Sequence, residues 1–312
     1  MLDQAVKQIK AGEVVAFPTE TVYGLGADAR YRDAVAKVFR LKGRPADNPL
    51  IVHIAKEDQL HDFAAEVPDA ALKLARKFWP GPLTLVLPKK PEVLDIITGG
   101  LPTVAIRMPD HPMALDLISQ TAPLVAPSAN KSGRPSPTKA EHVKADFGEK
   151  VLILDGGPCK LGLESTVIRV DQNEITVLRP GHIEPRQIEE IAGIPVKSEK
   201  PGSTESPESP GMKYSHYAPN AEVRLQPDLP DRIKKDTLYL ITRDIDMDVE
   251  EPENVILYAG NLKTLAVELY DRFRQADLEG YQSVEIIGLD ESNQGGLEQA
   301  LLNRIRKAGG IG

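Results

Sequence analysis

The 312-residue chain predicts an α/β protein: a twisted mixed sheet with covering helices over its first two thirds, then a smaller, Rossmann-like α/β unit. Three observations carry this. Short apolar runs rich in branched residues alternate with segments of helical period. A stretch of Pro, Ser, Gly and Glu at residues 197–211 interrupts them and cannot bury a core of its own. The same alternation then resumes to the end. The boundaries that follow are 1–196 for the first domain, 197–220 for a linker and 221–312 for the second domain.

In chain order, Leu2, Val6 and Ile9 make a helical stripe that Gly12 ends, and Val14–Phe17 has the length and branching of a buried strand. Val35, Val38 and Phe39 share one helix face before Gly43 stops it. PLIVHIA (49–55), PLTLVLP (82–88), TVAIRMP (103–109), APLVAP (122–127), VLILDGG (151–157), STVIRV (165–170) and ITVL (175–178) then read as strands, several closed by proline or glycine. Beyond the linker, AEVRL (221–225), TLYLI (237–241) and NVILYA (254–259) are strands. A helix from Asn261 to Ala276 carries Leu262, Leu265, Leu269 and Phe273. SVEIIGL (283–289) and a helix through Leu301 and Ile305 close the chain as a βαβ unit. No repeat at a fixed period is visible.

Composition narrows the functional class. A hydrophobic content of 41% with 27% charge is ordinary for a soluble globular protein. No apolar stretch approaches the roughly 20 residues that span a bilayer, and the first residues lack the pattern of a secretory signal. The single cysteine, Cys159, excludes an intramolecular disulfide and a thiolate cluster. A cytoplasmic location is the expectation. The formal net charge of −8 falls wholly after residue 200, the first 200 residues being balanced, which argues against broad binding of a phosphate backbone by the later part.

Common signatures are missing. No Gly-Lys-Ser/Thr ending makes a P-loop, no G-x-G-x-x-G opens a helix after a strand, and neither HExxH nor GxSxG occurs. Six scattered histidines leave a protein-held metal site unexpected. Instead, polar residues gather just past strand ends, where loops meet at the edge of an α/β sheet. They are Thr19, Glu20 and Thr21; Lys42, Arg44 and Asn48; Arg107; Ser128 and Asn130; Thr138; Ser165 and Thr166; and Arg179. In KGRPADNPL (42–50), Lys42 and Arg44 sit beside Pro45 and Pro49, whose fixed φ leaves little entropy to lose when an anion arrives. Arginine supplies bidentate recognition of carboxylate or phosphate, and hydroxyls and amides add neutral donors. Loop Ser, Thr and Asn also cap helices, and cations also favour a helix end. His53 inside a strand reads equally as a satisfied sheet residue. Arg107 is harder to set aside, because arginine in a strand rarely buries unpaired.

Taken together, PTETVYGL (18–25), KGRPADNPL (42–50), APSANKSGRPSPT (126–138), LESTVI (163–168) and SPGMKYSHYAP (209–219) resemble the L-threonylcarbamoyladenylate synthase family in its long form, with a YrdC-like domain, a linker and a C-terminal domain. Carbamoyltransferases of hydrogenase maturation share the YrdC-like segment. They also carry acylphosphatase and zinc-finger regions that a chain with one cysteine cannot supply.

The resemblance implies a reaction of L-threonine, bicarbonate and ATP that gives threonylcarbamoyladenylate and pyrophosphate. The product feeds downstream threonylcarbamoyl-transfer enzymes that modify tRNA beside the anticodon. It implies Thr21, His53, Arg107, Ser128 and Ser165 at the threonine site, with Arg107 gripping the carboxylate. Arg44, Asn48, Thr103, Asn130, Thr138, Arg179 and Tyr217 fall at the ATP site, and Lys42 with Arg44 are the catalytic cations. Magnesium would accompany ATP, held mainly by triphosphate oxygens and water, with Glu20 a weak candidate ligand. SPGMKYSHYAP would act as a lid with Tyr217 over the nucleotide; the alternative is a plain tether. The competing class is an RNA-binding module without chemistry, which the low aromatic content, 5%, disfavours.

Overall fold

Strand and helix boundaries follow the apolar rhythm closely in the computed structural model, which describes residues 1–198, 217–243, 252–290 and 296–310. The ten strands of the first domain are β1 (Val15–Phe17), β2 (Gly24–Asp28), β3 (Ile51–His53), β4 (Leu83–Pro88), β5 (Thr103–Arg107), β6 (Leu124–Val125), β7 (Leu152–Ile153), β8 (Thr166–Val170), β9 (Ile175–Arg179) and β10 (Val196–Ser198). They form one sheet in the order β10-β9-β8-β4-β5-β3-β6-β2-β1-β7. The sheet is mixed: β3 runs parallel to β5, while β4 and β6 run antiparallel to the strands beside them at β5 and β3.

Five of the ten, β1, β2, β3, β6 and β9, are buried along their whole length, and strands covered on both faces suit apolar runs better than alternation. β2 has no counterpart in the sequence reading. Its residues, GLGAD, carry two glycines and little β-propensity, and the strand exists because it fits between β1 and β6. At Gly26 a Cβ would stand 2.6 Å from the Phe17 ring, so only glycine lets the two strands close there.

The helix Arg32–Lys42 ends where Gly43 takes a left-handed conformation with φ 65°, the C-terminal device its sequence announces. Lys42 is its last residue, and the loop after it carries Arg44 and Asn48 back to β3.

The second domain has four parallel strands, β11 (Glu222–Gln226), β12 (Thr237–Ile241), β13 (Val255–Leu257) and β14 (Ser283–Ile287). Their order is β11-β14-β12-β13. An all-parallel sheet with helical crossovers is the Rossmann-like arrangement expected. The helix Leu262–Glu279 starts at Asn261, whose side chain accepts a hydrogen bond from the Thr264 amide at 3.1 Å, and it stops at a left-handed Gly280. The closing helix spans Gly296–Ala308. Of the expected linker, 197–220, residues 199–216 lie outside the described residues, as does most of SPGMKYSHYAP.

The helix Leu262–Glu279 packs on the first domain. Val22 and Leu163 join Leu265, Ala266, Leu269, Tyr270 and Tyr217 in one buried apolar cluster that crosses the boundary. The approach is close at Gly162, where a Cβ would lie 2.3 Å from the Ala266 carbonyl. Polar contacts ring this seam. Arg274 meets Asp146 at 2.9 and 3.2 Å and the Pro135 carbonyl at 2.6 Å. Asp271 meets Lys139 at 2.7 Å and His142 at 2.9 Å, and the His142 contact first, with Lys139, holds its carboxyl down at about 2.

Candidate active site

The strand ends and the domain seam border a narrow cavity of about 60 Å³. Its lining includes Thr19 and Thr21 from the β1–β2 loop, Arg44, His53 and Arg107 from the ends of β3 and β5, Ser128, Glu164 and Ser165, Arg179 from the end of β9, and Tyr217. Residues far apart in sequence converge because the sheet brings β2, β3 and β5 near one another, while Arg44 comes from the loop before β3 and Glu164 and Ser165 from the segment leading into β8.

The floor is the Arg107 group. Parallel register places His53 beside Arg107. The Arg107 guanidinium donates to the Thr21 hydroxyl at 2.9 Å and to the Gly81 carbonyl at 3.2 Å, and Nη2 stands 2.6 Å from the buried Glu20 carboxylate. That last contact is ionic rather than a well-aligned hydrogen bond, since both of its atoms lack a hydrogen-bond partner. Glu20 also accepts from the Asp110 amide at 3.1 Å. Thr19 bonds the Val22 carbonyl and amide and the Thr21 hydroxyl, so the loop that aims Thr21 is rigid. An arginine restrained from three sides is a preorganised receptor for a carboxylate.

His53 is neutral. Burial first, then the Arg107 cation, pull its pKa down to about 3. Its Nδ1 lies 3.2 Å from the Ile51 carbonyl. A carbonyl only accepts, so Nδ1 carries the proton and Nε2 is left as an acceptor. The pair thus offers a cation for a carboxylate and a lone pair for an amine or hydroxyl.

The opposite wall is built from Arg44, Arg179 and Ser165. Arg44 donates to the Asn48 side-chain oxygen at 2.6 Å and to the Asn48 and Pro49 carbonyls. Burial, with Arg179 beside it, pulls Arg44 down to about 10. Arg179 donates to the Ser165 carbonyl and hydroxyl at 3.1 and 3.0 Å, and that hydroxyl also meets Thr84 at 2.8 Å. From the closing helix, Lys307 feels the same field and falls to about 7 through burial, then Arg304 and Arg179. Positive charge crowded to this degree is stabilised by an anionic ligand.

The cavity therefore collects all five residues implied for threonine (Thr21, His53, Arg107, Ser128 and Ser165) and three implied for ATP (Arg44, Arg179 and Tyr217). Asn48 backs Arg44, and its buried side-chain nitrogen has no partner. Thr103 opens β5 on the Arg44 side, two residues before Ala105, which pairs with Ile51; it is outside the lining residues, as is Thr138, whose buried hydroxyl is unpartnered. Lys42 and Asn130 are turned inward. The Lys42 ammonium donates to the Ser128 and Asn130 carbonyls, both at 2.6 Å, and the Asn130 amide nitrogen donates to the Lys131 and Arg134 carbonyls. Burial, then Arg44, pull Lys42 well below its usual value. In this arrangement Lys42 fixes the Ser128–Asn130 loop and does not face the cavity, because three oxygens already surround its ammonium. Cys159 is inert: burial pushes its thiol up to about 12.

Sequence reasoning missed Glu164, Tyr270 and Arg304. Glu164 stands inside the quoted LESTVI, and its place before Ser165 was the one available signal. Two of its partners, Tyr270 and Arg304, lie in the second domain more than 100 residues away, where nothing local marks them.

Two family models cover the chain: one described as telomere recombination matches residues 7–181, and one described as the threonylcarbamoyl-AMP synthase C-terminal domain matches residues 183–310. The threonylcarbamoyl-AMP synthase of Bacillus subtilis strain 168 is 45% identical, over 98% of this chain and 92% of that one. The synthase of Pyrococcus abyssi is 44% identical over 97% and 92%. The crystal structure of P. abyssi Sua5 complexed with L-threonine superposes with a TM-score of 0.88 at 42% identity, covering 99% of this chain and 94% of that one. The chain therefore belongs to the threonylcarbamoyl-AMP synthase family, nucleotidyltransferase-type enzymes that form an adenylate, and carries both of its domains.

Proposed function

We propose that the protein condenses L-threonine, bicarbonate and ATP into threonylcarbamoyladenylate and pyrophosphate, and that the product supplies the threonylcarbamoyl group for the adenosine beside the anticodon of tRNA. One observation carries the reading. A restrained arginine and a neutral histidine share the floor of a cavity whose other wall holds Arg44 and Arg179.

The threonine carboxylate fits the Arg107 fork, with Thr21 and His53 beside it to meet the amine and hydroxyl. A histidine acceptor with its pKa near 3 stays unprotonated at neutral pH and does not repel the ammonium. Once the amine carries the carbamate, its oxygen must reach the α-phosphorus, with pyrophosphate leaving on the far side. Both partners are anions, so the work of the site is charge neutralisation and alignment. Arg44 and Arg179 serve that region, with Ser165 beside Arg179 on the threonine side.

Magnesium enters this reading with ATP as part of the substrate. Among the described residues no group of three or more His, Cys, Asp or Glu is arranged to hold a metal ion. Glu164, a carboxylate in the cavity wall, is committed to Arg304, Tyr270 and Ser136, and Glu20 to Arg107 and Asp110. No step here is assigned to the ion. No helix among the described residues is long and apolar enough to cross a membrane.

The test is product identity. Mass spectrometry of a reaction holding all three substrates should detect threonylcarbamoyladenylate, lost when any one is omitted and lost in Arg107→Ala. ATP consumed with AMP as the sole nucleotide product, whether or not threonine is present, would overturn the proposal.

A further inference from the structure

Glu164 and Arg304, 140 residues apart, meet across the domain seam in full burial. Arg304 Nε donates to Glu164 Oε2 at 2.8 Å, and Arg304 is 0% exposed. The same carboxylate accepts from the Tyr270 hydroxyl at 2.9 Å and, through Oε1, from the Ser136 hydroxyl at 2.6 Å. Burial pushes the Glu164 carboxyl up, but Arg304, then Arg179, and the hydrogen bonds outweigh it and hold the group at about 2.

This cluster touches the cavity on two sides. Glu164 is the residue before Ser165, whose carbonyl and hydroxyl hold the Arg179 guanidinium. On the other side, the Tyr217 ring stacks on Tyr270 with centroids 5.3 Å apart and lies 5.7 Å from the Arg304 guanidinium. Tyr217 has φ 70°, a conformation that costs a bulky residue energy and needs its surroundings to impose it. Its neighbours supply that restraint from both domains: the Ala218 amide donates to Gly133, and the Asn220 and Ala221 amides donate to Asp277. The floor has no such dependence. Arg107, Thr21, Glu20 and His53 are held by first-domain atoms.

We propose that Arg304 is a positioning residue for the nucleotide half of the site: clamped by Glu164 across the seam, it sets Tyr217 and Arg179, so the second domain is a required wall of the cavity. The proposal rests on the adenylate-forming reading above. It makes the last helix part of nucleotide recognition, although every residue the sequence motifs point to precedes residue 218.

The test uses the full chain and compares Arg304→Gln, Arg304→Lys and Tyr270→Phe with the unaltered protein. Pyrophosphate release gives KM for ATP and for threonine, and calorimetry gives threonine affinity. Arg304→Gln should raise the ATP KM about tenfold or more while threonine affinity stays within about twofold, with Arg304→Lys in between because it restores the charge but not the fork. Loss of fold alone would lower kcat and leave both KM values in place. If Arg304→Gln does not fold, Tyr270→Phe reads the same split, because it removes one hydroxyl and keeps the stacked ring. A folded Arg304 variant with unchanged ATP KM, or with equal losses for both substrates, overturns the proposal. If the unaltered protein shows no threonine-dependent turnover, the reaction assignment fails instead, and direct ATP binding to the same variants then decides the positioning role.

Discussion

The floor of the cavity and its roof are built by opposite means. The floor is a product of one sheet: β3 and β5 lie side by side, so His53 and Arg107 come together as soon as the register is set, and the β1–β2 loop adds Thr21 and Glu20. The roof is a product of assembly. Tyr217, Tyr270, Arg304 and Glu164 meet only when the second domain docks. A site made this way ties only its nucleotide half to the integrity of the domain interface, so substitutions in the two regions should fail differently.

The largest effect belongs to the floor. Arg107→Ala removes the carboxylate receptor and leaves Glu20 as a buried, unpaired anion, so kcat/KM should fall about 10³-fold with threonine binding lost, as titration calorimetry would report. If Arg107→Ala binds threonine normally, the floor is not the amino-acid site. At the roof, Glu164→Gln leaves Arg304 without its counter-ion and should cost about 3 kcal/mol of stability, read from the urea midpoint, with a rise in ATP KM. At the seam, Gly162→Ala forces a Cβ against the Ala266 carbonyl at a residue with φ 75°. It should destabilise by about 2 kcal/mol and lower activity with no change at any cavity residue. The smallest effect is expected at the rim, where His142→Ala leaves Asp271 still paired with Lys139 and should cost about 1 kcal/mol.

Acid should separate the two regions. His53 falls from 6.5 to about 3 on folding, so the unfolded chain takes up its proton first; the stability His53 contributes is complete above pH 6.5 and drains as pH falls toward 3. Glu164 falls from 4.5 to about 2, so its share persists above pH 4.5 and is lost toward 2. The urea midpoint of the unaltered protein should decline below pH 6.5 and more steeply below 4.5. Glu164→Gln should make the lower part shallower, leaving the share that His53 and Asp271 carry there, and an unchanged lower part would contradict the buried ion pair.

The same contrast decides how much was legible beforehand. Runs such as TVAIR and TLYLI announce strands because parallel and central strands bury both faces, and the glycine at position 43 announces a helix end, while the helix expected to stop at Ala276 runs on to Glu279. β2 was silent, because its pairing comes from its neighbours rather than from its own residues. Arg107 stood out as a charge inside a strand, Thr21, Ser128 and Ser165 stood among the loop hydroxyls, and His53 came only from the resemblance. Lys42, a cation beside a proline-pinned turn, reads as an anion receptor, and in this structure it lies under the Ser128–Asn130 loop. Arg304 could not be found at all, since a lone arginine in an amphipathic helix looks like any solvated one until the domain boundary closes over it.

The most direct measurement of the central claim, that one cleft holds two mutually repelling reactants in line, is initial-rate pyrophosphate release from ATP with threonine and bicarbonate each omitted in turn. The account predicts release only when both are present. Release that continues at full rate without threonine would contradict it.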